Sequence, residues 1–329
     1  MEKPLSNCLH NPSLAPPFSK ANALRSTTHV LLPHVFRRDA QLSDPRRNIG
    51  AFLKNELEPT KLNKINRHLW IAGLPRPARF LHRQRLLART ILLTESPDEH
   101  LVWHDTDIWI KPLPECLLSF EFWEKEICSD EAIYQSAYGL LLSYTWLIGY
   151  KSDHRIAVDT GLLPDDIDYN AWTAFASDLN TRNSLGTPRP VNERYNYGEL
   201  RLSRLDHLYR LGAAGFSLWN VVFGFTSRST RYPAFFQRNF RWILVVFVYF
   251  SVLLSAMQVA LATEKLGNNI DFQNFSRGIA LLSITFVLGA TALVLLIWSF
   301  LFCFHVIATV QYSKKIKSQR IGAIGPGKI

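Results

Sequence analysis

Two long charge-free apolar segments, Trp242 to Thr263 and Gly278 to Tyr312, stand fourteen residues apart in the last third of the 329-residue chain. A bilayer core of ~30 Å needs about 20 apolar residues in a helix, and the first segment supplies 22. The pattern therefore predicts a C-terminal two-helix transmembrane hairpin. As one helix the second segment would run ~52 Å, so a span over about 278–302 is expected. The remainder, Cys303 to Tyr312, would extend beyond the bilayer and pack on Gly215 to Phe225.

Arg228, Arg231, Arg238 and Arg241 precede the first span, and Lys314, Lys315, Lys317 and Arg320 follow the second. The loop between carries Glu264 and Asp271 against Lys265 and Arg277. The excess of positive residues on the cytosolic side of membrane proteins then places both termini in the cytosol and the loop outside. Asn274-Phe275-Ser276 fits a glycosylation acceptor on that loop, too close to the bilayer to be modified. Small residues allow close helix approach, so Ser251, Ser255, Ala256 and Ala260 are the expected contact face on the first span, and Thr285, Gly289 and Ala292 on the second. Gln258, the only amide in the first span, is a candidate for a hydrogen bond across the hairpin or to a second copy, or for contact with the outer surface.

The net charge of +10 separates along the chain. Residues 1–94 carry net +11, residues 95–180 net −13, residues 181–241 net +7 and residues 242–329 net +5. A basic N-terminal part folded on an acidic middle accounts for this better than a nucleic-acid-binding face, because RNA-binding signatures are missing. The four cysteines, Cys8, Cys116, Cys128 and Cys303, lack paired spacing, so no zinc site, disulfide framework or cofactor is expected.

The expected organisation is a disordered leader over 1–48, a cytosolic α-rich domain with a small β-hairpin over 49–227, the membrane hairpin over 228–312 with spans near 242–263 and 278–302, and a basic cytosolic tail over 313–329. The fold class is thus a mainly α membrane protein: a cytosolic helical domain with a small antiparallel β element plus the hairpin. A mitochondrial presequence in the first 38 residues is the alternative to a disordered tail. Apolar spacing over Ile49 to Leu69 predicts helical turns broken at Pro59. Thr90 to Thr94 and Leu101 to Lys111, with His104-Asp105-Thr106 as a turn, read as strands. Helices are expected over 117–128, 131–158 and 165–179. Ala132 to Tyr150 is uncharged and long enough for a third span, but its serines, tyrosines and Gln135 favour a buried core helix.

Glu199 to Leu211 reads as a basic amphipathic helix in which Arg201 and Arg204 fall inside the leucine face. Guanidinium groups there need carboxylates or phosphates. The acidic middle of the domain is the plainer partner and an anionic lipid head group the sharper one. His100 and His104, among Asp98, Glu99, Asp105 and Asp107, form the densest set of metal-ligand types, and an exposed hairpin tip explains them without a metal. Val158-Asp159-Thr160-Gly161 carries an Asp-Thr-Gly triplet, read as a helix end with Gly161 as the cap.

The runs Leu69-Trp70-Ile71-Ala72-Gly73-Leu74-Pro75, His100-Leu101-Val102-Trp103, Ile110-Lys111-Pro112-Leu113-Pro114, Gly198-Glu199-Leu200-Arg201-Leu202-Ser203-Arg204-Leu205 and Ala256-Met257-Gln258-Val259 resemble an uncharacterised fungal family over roughly residues 50–312. That resemblance implies a soluble helical domain followed by two membrane spans. Several such proteins carry the name subtilisin-like serine protease, yet the Gly-rich motifs that surround a subtilisin Ser and His do not occur here. The leading expectation is a membrane-anchored adaptor or scaffold whose partners are the bilayer and a protein or second copy met through the hairpin, with no nucleic acid. A membrane-associated hydrolase or lipid-acting enzyme is the second reading, and a subunit of an oligomeric channel or transporter the third. Catalytic and metal residues are assigned to none; Arg201, Arg204 and Gln258 are the candidate polar or lipid-contact residues.

Overall fold

The computed structural model describes residues 14–26, 32–38, 41–185, 191–215, 224–225, 232–263 and 270–323. The side chains of 38, 41, 183–185, 232–244, 294, 297–298, 300–302 and 304–323 fall outside that description. The chain divides into two compact units, Met1–Arg228 and Ser229–Ile329.

In the first unit several of the residues expected to form a loose leader are tied down. Phe18 is fully buried, against Trp123 and Phe175, and Arg25 reaches Glu115 and Asp166 in the acidic middle. Strands β1 (Phe36–Arg38) and β2 (Gln41–Ser43) pair antiparallel, with Phe36 edge-on to Phe52. Apolar anchors spaced along a polar stretch explain this order: low mean hydropathy hides a few residues that each bury a whole ring.

Helix α1 (Ile49–Leu57) starts at Asn48, whose side chain accepts from the Ala51 N–H at 3.0 Å. Pro59 separates it from α2 (Thr60–Asn63), as expected. Proline cannot cap α2, so Asp98 does, its Oδ1 accepting from the N–H groups of Lys61 and Leu62. Helices α3 (Leu69–Ala72) and α4 (Leu81–Leu86) follow.

Strands β3 (Thr90–Leu93), β4 (Val102–His104) and β5 (Asp107–Ile110) match the expected runs, with Asp105 at φ +51° in the turn. The sheet is not simply antiparallel, however. Its order is β3-β5-β4-β6, with β3 and β5 parallel, β4 and β5 antiparallel, and β4 parallel to β6 (Leu200–Arg201). A strand of two residues has no periodicity to read, and the long connection from β5 that makes parallel pairing feasible is invisible locally. Register sorts the side chains into two rows. Leu92, Trp109, Val102 and Leu200 face one apolar cluster with α2 and α3; Ile91, Ile108, Trp103 and Arg201 form the other row.

Residues 115–127 form tight 3₁₀, α and π turns. Helix α5 (Glu131–Leu147) then runs through the centre of the unit with Tyr134, Tyr138, Leu140, Leu141 and Tyr144 buried. It is apolar all round because protein surrounds it, which resolves the choice between core helix and third span in favour of the core. Helix α6 (Lys151–Asp159) ends with Gly161 at φ +71°, the Leu162 N–H on Ala157 O and the Gly161 N–H on Val158 O. This Schellman end accounts for the Asp-Thr-Gly triplet. Helix α7 covers Tyr169–Leu185, and α8 (Leu202–Arg210) begins after β6.

The second unit holds α9 (Tyr232–Leu261) and α10 (Ile270–Ala323). Phe250 stacks on Phe286 at 5.7 Å between ring centroids, and Met257, Ser276 and Ser283 are buried. The expected contact faces are displaced: Ser251, Ser255, Ala256, Thr285, Gly289 and Ala292 are exposed. Their hydroxyls need no partner helix, since Ser251 donates to Phe247 O and Thr285 to Leu281 O within their own helices. Asn274 and Ser276 lie on α10 and not on a loop, with Ser276 8% exposed. By length and composition Ile270–Leu293 is apolar enough to cross a membrane, with mean hydropathy 1.6 and 11% of its apolar window buried. Val245–Leu261 is a shorter apolar helix of 17 residues. The expected packing of residues 303–312 on 215–225 lies outside the described residues, which omit 216–223 and nearly all side chains beyond 303.

Candidate functional site

Sequence reasoning offered a protease name, a metal cluster and two arginines, and the structure treats them differently. His100 and Ser143 do meet, with Nε2 and Oγ 2.8 Å apart, but both are wholly buried. The Lys111 backbone N–H donates to His100 Nδ1 at 3.1 Å, so the ring proton sits on Nε2 and is given to Ser143. Ser143 in turn donates to Leu140 O. Burial and the nearby Arg194 and Lys111 hold the imidazole pKa well below its usual 6.5. A general base must accept the serine proton; this histidine donates to the serine, the reverse of nucleophile activation. Cys116 is no better placed, because burial pushes its thiol up to about 12.

The set around His100 and His104 is dispersed. Leu101, at φ +57°, interrupts strand alternation before β4, which turns His100 into the core while His104 pairs with Asp105 outside. Asp98 is consumed in capping α2. Among the described residues no group of three or more His, Cys, Asp or Glu could hold a metal ion.

Arg201 and Arg204 are brought together, and in company the sequence did not indicate. A cavity of about 160 Å³ is lined by Gly73, Arg76, Arg79, Trp103, Glu199, Arg201 and Arg204, among others. Arg201 lies on β6, before α8 starts, and so leaves the leucine face; its register partner is Trp103, over whose ring its guanidinium sits at 5.1 Å. Arg89 lies over the same ring at 4.3 Å. Arg204 donates to Ile71 O at 2.9 Å, which holds α3 against the start of α8. Neither Arg201 nor Arg204 forms an ion pair with a carboxylate among the described residues, so the acidic middle is not their partner.

The carboxylate of the cleft, Glu199, is already saturated. It accepts from the Arg79 backbone N–H at 3.1 Å, Arg79 Nη1 at 3.2 Å, Gln84 Nε2 at 2.8 Å and Arg89 Nη1 at 2.7 Å. Burial alone would raise its pKa, but the hydrogen bonds from Arg89, Gln84 and Arg79 hold it below the ordinary carboxylate range. Two glycines let the backbones meet here. A Cβ on Gly198 would stand 2.4 Å from Ala78 N, and one on Gly73 would stand 2.6 Å from Glu199 O. Arg194, 1% exposed, fixes the approach by donating to the carbonyls of His100, Tyr197 and Gly198. Burial lowers its guanidinium to about 10.

Gln258 belongs to the second unit, where its side chain is exposed and makes no hydrogen bond among the described residues. Arg76, Arg79, Trp103 and Glu199 were missed because their segments, near 76, 103 and 199, are far apart in sequence. The signal available was indirect: Gly73 and Gly198 stand inside short motifs, as close backbone approach requires.

The first unit is therefore a small mixed sheet between two apolar layers, with an arginine-lined cleft at its β6 edge. Residues 49–287 match the model of a family of unknown function, DUF6601, and the chain belongs to that family. No curated protein and no solved structure matches the chain.

Proposed function

We propose that this protein is a membrane-anchored adaptor: its first unit is a binding domain, and α9 and α10 cross a bilayer as a two-pass hairpin with both termini cytosolic. The observation that carries the anchoring is the breadth of exposed apolar surface in the second unit. Val245, Phe247, Val248, Val252 and Val259 on α9 and Leu281, Leu282, Ile284, Leu288, Leu293 and Leu296 on α10 face outward, while Ser276 and Ser283 are buried. Water would penalise that arrangement by ~25 cal/mol per Å² of exposed apolar surface, whereas lipid tails welcome it. The flanking arginines and lysines supply the orientation.

At His100, Ser143, Cys116 and the β6-edge cleft, binding is favoured over catalysis by the groups themselves. The buried histidine donates to its serine, the cysteine thiol is pushed up, and the cleft is smaller than the ~300–1,000 Å³ typical of small-molecule sites. The test is a glycan-acceptor reporter inserted between Leu266 and Gly267 in cells, with alkaline carbonate extraction of the same membranes. Glycosylation of the inserted reporter and retention in the pellet are expected. An unmodified loop reporter alongside a modified terminal one would reverse the orientation, and release into the supernatant would end the membrane reading.

A further inference from the structure

We infer that the cleft at the β6 edge binds the phosphate monoester of a lipid head group, with Arg76 and Arg201 as its charged contacts and Trp70 and Leu74 resting on the lipid surface beside it.

Charge bookkeeping leads there first. The cleft gathers Arg76, Arg79, Arg201 and Arg204 against one carboxylate, Glu199, whose oxygens are filled by Arg79, Arg89 and Gln84. Arg76, Arg201 and Arg204 form no ion pair with a carboxylate among the described residues. Guanidinium groups crowded around one cavity repel one another, and an anion that accepts from several of them at once removes that cost. Phosphate offers the matching geometry, since its oxygens take paired N–H donors from arginine. A cavity of about 160 Å³ is large enough to take a phosphate group.

The rim decides the source. Trp70 is 64% exposed on α3, and Leu74 is 59% exposed where it lines the cleft. Exposed large apolar side chains on the segment that borders a basic cleft suit the interfacial layer of a bilayer, where tryptophan is enriched and anionic head groups lie. A soluble phosphorylated ligand would leave both in water. The proposal draws on the anchoring reading only for a lipid surface within reach, so it is tested in micelles, where failure of the one does not imitate failure of the other.

The experiment uses the purified full chain in dodecylmaltoside, titrated calorimetrically with dihexanoyl phosphatidic acid, dihexanoyl phosphatidylserine and inorganic phosphate. Phosphatidic acid carries a monoester; phosphatidylserine is anionic but a diester. Phosphatidic acid is expected to bind at least tenfold tighter than phosphatidylserine. The pair Arg76→Ala with Arg201→Ala should weaken it at least tenfold without lowering the melting temperature, while Arg67→Ala, an exposed arginine off the cleft, leaves it unchanged. The pair Trp70→Ala with Leu74→Ala should weaken phosphatidic acid and spare inorganic phosphate. Equal binding of the two lipids, or equal loss in Arg67→Ala, overturns the site. Phosphate binding as tight as that of phosphatidic acid and indifferent to Trp70 and Leu74 assigns the cleft to a soluble anion and overturns the lipid.

Discussion

Glu199 receives four hydrogen bonds on one carboxylate, and two of the donors are arginines, one of them Arg89 with its side chain 7% exposed. Removing the charge while keeping the shape leaves Arg89 buried without a counter-ion, which costs about 3 kcal/mol. Glu199→Gln should therefore lower the melting temperature of the full chain in detergent by roughly 10 °C at pH 7. Its folded pKa is depressed, so its contribution is present above the unfolded value of ~4.3 and is lost as pH falls through the folded value. The gap between wild type and variant should narrow as pH falls below the unfolded value of ~4.3. Asp98 works in the opposite sense. Burial raises its carboxyl to about 6, so its ionisation opposes folding above that pH and the cost vanishes below its unfolded value of ~3.9. Asparagine keeps the acceptor for Lys61 and Leu62 but does not ionise. The melting temperature of Asp98→Asn minus that of wild type should rise between pH 4 and pH 7, whatever constant offset the new amide introduces; a flat difference would show that Asp98 does not titrate in this range.

At the scale of elements, local spacing was informative where an element is long or punctuated. The break at Pro59, the strands on either side of Asp105 and the Gly161 helix end all follow from turn chemistry legible in a few residues. The β6 strand and the β3 to β5 pairing were not legible, because their reason is a partner far away in sequence. The cleft depends on those unread pairings, so only Arg201 and Arg204 of its charged residues could be named beforehand. Glycine substitutions test this. A Cβ on Gly198 meets main-chain atoms of residues 76–78 that cannot retreat, so Gly198→Ala should destabilise by at least about 2 kcal/mol and pull β6 away from Arg76. Gly50, exposed in the first turn of α1 with nothing within 4 Å of its would-be Cβ, should instead give up to about 1 kcal/mol of stabilisation as alanine. Thermal melts of the two variants should shift in opposite directions.

For the whole molecule the governing contrast is between a unit with a large buried apolar core and a unit most of whose described large apolar residues are exposed. Leu288, 65% exposed near the middle of the expected second span, distinguishes a bilayer from water as surroundings. Lysine at a span centre costs about 3 kcal/mol on insertion. Leu288→Lys should therefore reduce the fraction of chains retained in carbonate-washed membranes, and a variant that is fully retained would argue that α10 does not cross. The opposite charges along the chain have a whole-molecule outcome too, visible in Arg25 on Glu115 and Asp166 and in Lys20 on Glu121. These contacts turn the expected leader into part of the domain.

Sequence alone determined the apolar segments, the caps and breaks, and the sign of charge along the chain, because each is set by residues within a turn or two of one another. It also put Arg201 and Arg204 forward as cations in need of an anion. Tertiary structure decided that His100 donates to Ser143 and does not activate it, that Phe18 and Phe36 belong to the core, and that four arginines share one cleft with a carboxylate already filled. Those outcomes depend on which distant groups enclose a side chain, and burial by distant groups leaves no local pattern in the sequence to read.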